Sequence, residues 1–139
     1  MKIIAKSKDQ YTLRFDYGEN FLAELKRFLI KNKLEGGWVL GLGAMVDPEI
    51  AYYDFKMEKY LKKKIKGKFE VLNLTGNAAW LKKEPVLHIH IILGKKNFTV
   101  LGGHLVDGKA GGTLEITLNA GQKLKRARDK STGLNFLIK

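Results

Sequence analysis

From Val86 to Leu93 the chain alternates: Leu87, Ile89, Ile91 and Leu93 fall on one side, His88 and His90 on the other. Such a period of two is the mark of a strand with one buried face. The same period puts Tyr11, Leu13 and Phe15 opposite Thr12 and Arg14, after a short strand at Ile3 to Ala5, and puts Leu114, Ile116 and Leu118 opposite Glu115. Residues 38–46 (WVLGLGAMV) are almost continuously apolar and suit a strand covered on both faces. Asp47-Pro48 predicts a turn there, with Glu49 to Lys56 returning as the partner strand. Phe69 to Trp80 reads as a strand interrupted at Gly76-Asn77, GKAGG at 108–112 as another turn, and Leu134 to Ile138 as a final short strand. In one place the period changes to that of a helix. Phe21, Leu22, Leu25, Phe28 and Leu29 share a face between Asn20 and Asn32, Asn20 suits an N-cap, and Gly36-Gly37 ends the segment.

This order predicts an α/β protein of the α+β type: a mainly antiparallel sheet covered by one long helix, in a single domain over residues 1–139. One helix cannot cover two apolar faces, so a second subunit is expected on the other. Strict alternation places Glu70 beside Leu72 and Leu74, which requires it either to lie outside the core or to have a partner.

Composition narrows the chemistry. No cysteine is present, which excludes disulfides, thiolate zinc sites and cysteine nucleophiles. No apolar run approaches the roughly 20 residues of a membrane span. The N-terminal MKIIAKSKDQ is broken by charge before any signal-peptide core could form, so a cytoplasmic protein is expected. Gly41-Leu42-Gly43 lacks the third glycine and the following helix of a dinucleotide fingerprint. Ser7 and Ser131 sit in apparent loops, neither in a nucleophile elbow.

Against 14 Asp+Glu stand 26 Lys+Arg, a formal charge of +12. Two stretches concentrate it: Lys59, Lys62, Lys63, Lys64, Lys66 and Lys68, which form a short helix or an edge segment, and Lys123, Lys125, Arg126 and Arg128. Both read as solvated faces or as an anion patch for DNA or an acidic protein partner. Without interleaved aromatics or a reading helix, DNA binding would follow the phosphate backbone and depend steeply on salt.

All three histidines lie between Val86 and Val106. His88 and His90 share a face by parity. His104 joins them if Lys95-Lys96-Asn97 is a three-residue hairpin loop, Asn97 taking the left-handed position, which pairs His88 with His104 and His90 with Gly102. A bulge at Gly102-Gly103 would have the same effect on parity. Three neutral imidazoles suit zinc and leave a fourth position for water, a carboxylate or a substrate. Glu70 and Glu115 are the candidates for a fourth ligand or for a partner of the ligands. The alternative to a binding module is a metal-dependent hydrolase in which zinc-activated water reacts at His88, His90 and His104.

Five segments in order, GLGAMVDPEIAYYD at 41–54, GKFEVLNLTGN at 67–77, HIHIIL at 88–93, GGHL at 102–105 and GTLEITL at 112–118, resemble the plants-and-prokaryotes conserved (PPC) domain, in its stand-alone prokaryotic form. The resemblance spans almost the whole chain. It implies a homotrimer with a metal site at His88, His90 and His104. The Arg-Gly-Arg-Pro AT-hook that reads AT-rich DNA in plant relatives is absent here. No enzymatic reaction transfers with the resemblance, so the expected function is a regulatory or DNA-associated, non-enzymatic module carrying zinc.

Overall fold

The computed structural model describes all 139 residues. Along the chain follow β1 (Lys2–Ser7), β2 (Gln10–Asp16), α1 (Phe21–Lys31), β3 (Gly37–Asp54), β4 (Lys59–Lys64), β5 (Lys68–Leu81), β6 (Glu84–Gly94), β7 (Val100–Asn119), β8 (Lys125–Arg128) and β9 (Asn135–Ile138). One sheet holds every strand, in the order β1-β2-β7-β3-β5-β8-β9, with β4 paired to β3, and β6 lying between β5 and β7. The pairings are antiparallel except for a parallel bridge from Trp80 to Lys125. β3 pairs with β5, β5 with β6, β6 with β7 and β7 with β3 again. The sheet therefore curls into a ring of four strands, closed between β6 and β7 where His90–Gly94 pair with Val100–His104.

Leu13, Phe15, Val39, Leu74, Ile89, Ile91, Leu105 and Leu114 fill one core cluster on the inner side of this curl. The helix packs on β6 and β7 and buries Phe21, Leu25, Phe28 and Leu29. Edge-on ring contacts, Tyr11 with Phe28 at 5.2 Å and Phe15 with Phe21 at 5.1 Å, tie it to β2. Burial of each such side chain contributes about 1.5–3 kcal/mol. Asn20 caps the helix by accepting from the Ala23 N–H at 2.9 Å. With 11 residues it is short, not the long helix expected: three turns bury its four apolar side chains against β2, β6 and β7.

Three predicted breaks are not breaks. β3 runs unbroken from Gly37 to Asp54, and Asp47-Pro48 is a bulge rather than a reversal. Asp47 takes a left-handed φ of 47°, its N–H donates to the Gly67 carbonyl, and its carboxylate accepts from the Gly67 N–H. The chain reverses later, after Asp54, whose carboxylate accepts from the Lys56 and Met57 N–H groups, and β4 returns as an exposed edge strand. GKAGG at 108–112 lies inside the 20-residue β7, opposite that same irregular part of β3. β5 passes through Gly76-Asn77 without interruption. Its irregularity is between Val71 and Asn73, where the register against β6 shifts. That shift turns Leu72 outward with Glu70 and returns Leu74 to the core, so the carboxylate needs no buried partner. The basic segment after Ala120 contains β8, which pairs with β9 in a C-terminal hairpin.

Candidate metal centre

β6 keeps its alternation: Leu87, Ile89, Ile91 and Leu93 point into the core, His88 and His90 to the outer face. β7 brings His104 directly opposite His90. The predicted pairing of His88 with His104 is off by two residues, because the loop spans Lys95 to Thr99 and not three residues. It closes with a hydrogen bond from Lys95 N–H to the Thr99 carbonyl at 2.9 Å. Phe98, not Asn97, holds the left-handed position (φ 62°), while the Asn97 side-chain Oδ1 accepts from the Thr99 hydroxyl. A slip of two preserves the face, which is why the cluster forms all the same. Gly102 lies opposite Ile92, in unbroken register, and leaves no room beside the site: a Cβ there would stand 2.5 Å from the Ile91 carbonyl oxygen.

The imidazole centroids are 5.0 Å (His88–His90), 5.3 Å (His88–His104) and 5.7 Å (His90–His104) apart. One nitrogen from each lies within 4.8 Å of the others. Around them stand residues from four other strands. Asn77 on β5 faces His88 across the ladder, and the Tyr60 ring on β4 lies 5.1 Å from that of His104. The C-terminal hairpin folds over the His88 end, and a cleft of about 480 Å³ opens between Tyr60, Asn77, His88, His104, Arg126 and Phe136. Asp129 fixes the turn of that hairpin, accepting from Ser131 and Thr132, and the Thr132 carbonyl accepts from the Tyr53 hydroxyl on β3.

Burial, followed by the neighbouring charges of His88, His90 and Arg126, lowers the His104 pKa from 6.5 to about 4. His88 is lowered as well, first by burial and then by Arg126 and His90. Both rings are thus neutral at neutral pH, with lone pairs free for a metal. Tyr60 is raised by burial and by Tyr53, against the pull of Arg126.

Neither glutamate joins the cluster. Glu70 pairs with Gly94 while Thr75 pairs with His90, so about 16 Å of strand separates it from the histidines. Glu115 lies on the outer face between Arg14 and Leu42, at the far half of β7. The lysines are dispersed. Those of β4 are exposed along its edge, Lys68 covers the Tyr17 ring, and Lys123 pairs with Glu35. Arg126 does not belong to the surface patch in which the sequence placed it: only 8% of it is exposed. Asn77, Tyr60 and the buried role of Arg126 escape sequence reasoning. The one available signal was Asn77, an amide set among apolar residues of an inner strand.

Residues 3–121 match the family model of the Plants and Prokaryotes Conserved (PCC) domain. Among solved structures, a plant- and prokaryote-conserved protein of Pyrococcus horikoshii is 31% identical, with a TM-score of 0.85, covering 100% of this chain and 99% of its own. A metal-containing protein of Archaeoglobus fulgidus is 29% identical, with a TM-score of 0.86 and the same coverage of both chains, 100% and 99%. A candidate DNA-binding protein of Ralstonia eutropha is 27% identical, with a TM-score of 0.87, covering 96% of this chain and 93% of its own. No curated protein matches the sequence.

Proposed function

This chain belongs to the Plants and Prokaryotes Conserved domain family, and we propose that it is a homotrimeric binding module whose zinc ion is held by His88, His90 and His104. The observation that carries this reading is the approach of three imidazole nitrogens to within 4.8 Å on strands rather than loops. The donor set fits the ion. Zinc takes neutral imidazole, and two of these rings are kept neutral by burial. The Nδ1 of His104 is buried without a hydrogen-bond partner, a cost that a ligated ion would remove. Bound there, zinc would supply a Lewis-acid position open to one further ligand. The metal-containing relative from Archaeoglobus fulgidus agrees with this reading.

Native mass spectrometry and metal analysis of the purified protein test it. The expected result is one zinc per chain in the native protein and none in His104→Ala, with the fold kept by circular dichroism. A native protein that takes up no zinc, or an His104→Ala protein that retains it, would overturn the assignment.

The trimer is supported by an exposed apolar face. Leu40 and Leu42 on β3 and Leu72 on β5 line one shallow depression and are 55%, 59% and 55% exposed. A soluble monomer rarely leaves such neighbours uncovered. DNA association, through the lysines of β4, is a further part of the proposal, supported by the formal charge of +12 and by the Ralstonia eutropha relative.

A further inference from the structure

Arg126 is the one charged side chain that the fold buries. Burying a guanidinium is costly unless an opposite charge accompanies it. None does: Arg126 takes part in no ion pair of the chain. Its partners are neutral, Asn77 Oδ1 and the Asn135 carbonyl, each accepting at 2.6 Å. Of the five N–H donors of a guanidinium these use two, and Nε is buried with no partner at all. The group lines the same cleft as His88 and His104. Beside it the cleft is lined by apolar side chains of the same C-terminal hairpin, among them Leu134, Phe136 and Leu137, the last being its cross-strand partner. Arg126 also lies outside residues 3–121, the part that matches the family model.

We propose that this cleft is a binding site for a small organic acid, whose oxyanion is held by Arg126 and whose apolar body rests on the C-terminal hairpin. Guanidinium grips planar oxyanions with parallel donors, and a cleft of about 480 Å³ is of small-molecule size. The acid supplies the negative charge that the chain itself withholds from this place. Its second partner would be the ion on the three histidines, and that part alone rests on the metal reading.

The test uses benzoate, its neutral isostere benzamide, and acetate, titrated by calorimetry into metal-free protein and into zinc-loaded protein of measured metal content. Benzoate is expected to bind both forms, the zinc form at least tenfold more tightly, with benzamide at least tenfold weaker and acetate weaker than benzoate. R126Q is expected to lose at least tenfold in benzoate affinity with unchanged zinc content. Should R126Q fail to fold, R126K keeps the charge without the fork and is expected to lose several-fold. Benzamide binding as well as benzoate, an unchanged affinity in the folded Arg126 variant, or no benzoate binding to either form would overturn the proposal. A chain that takes no zinc yet binds benzoate through Arg126 would support the acid site and end the metal reading.

Discussion

His104 is half-buried and Arg126 almost wholly buried, and they respond to that in opposite ways. The imidazole stays neutral: burial holds its pKa at about 4 against an ordinary 6.5. Between those two values the unfolded chain takes up a proton that the folded chain refuses. Stability of the metal-free protein is therefore complete above the unfolded value and falls as the pH drops toward 4, with His88 acting in the same direction. A urea midpoint measured between about pH 7 and about pH 5 should decline, and should decline less in His104→Gln. Equal slopes in the two proteins would refute this account. The guanidinium cannot shed its charge so readily, and so it depends on a partner. That dependence was hidden in the sequence, because a basic run such as KLKRARDK looks the same whether it is solvated or has one residue folded inward.

Gly76 on β5 packs tightly against the backbone of β6 beside the histidines. A Cβ on Gly76 would stand 2.1 Å from the His88 carbonyl oxygen, which is backbone and cannot swing aside. Gly76→Ala should therefore force the two strands apart, cost about 1–3 kcal/mol in chemical denaturation, and lower zinc uptake by displacing His88. Full stability together with full uptake would show that the strand spacing does not position the ligand. At this level the sequence was legible in part. The apolar period located the helix to within a residue of its ends, and found the cores of β2, β6 and the last part of β7. It failed where glycine and proline serve curvature. Asp47-Pro48, Gly76-Asn77 and GKAGG carry turn chemistry, yet in a sheet that curls into a ring the same residues permit bulges and tight strand contacts. The histidine cluster was legible because its face depends only on parity. Its register depended on a loop whose left-handed residue is a phenylalanine, which no propensity would select.

The proposed assembly and DNA association both fall on exposed outer surfaces. Leu42→Lys, which leaves the core untouched, should turn a trimer into a monomer by light scattering, whereas a native protein already at monomer mass would refute the assembly. For DNA, Lys62 and Lys64 share a face of β4 with Tyr60 by alternation, so that K62Q with K64Q should flatten the plot of log affinity against log salt by about 2. An affinity indifferent to salt would end that reading. The ladder between β2 and β7 has a consequence for how the protein is made. Tyr11 meets Leu118 and Asp16 meets Thr113, so the residues of β2 face partners about a hundred residues downstream. At synthesis rates of about 5–20 residues per second they wait roughly 5–20 seconds on the ribosome, with their apolar faces uncovered. Closure of the ring is thus a late event of biosynthesis, and nascent chains truncated before β7 would remain substrates for chaperones rather than folded intermediates.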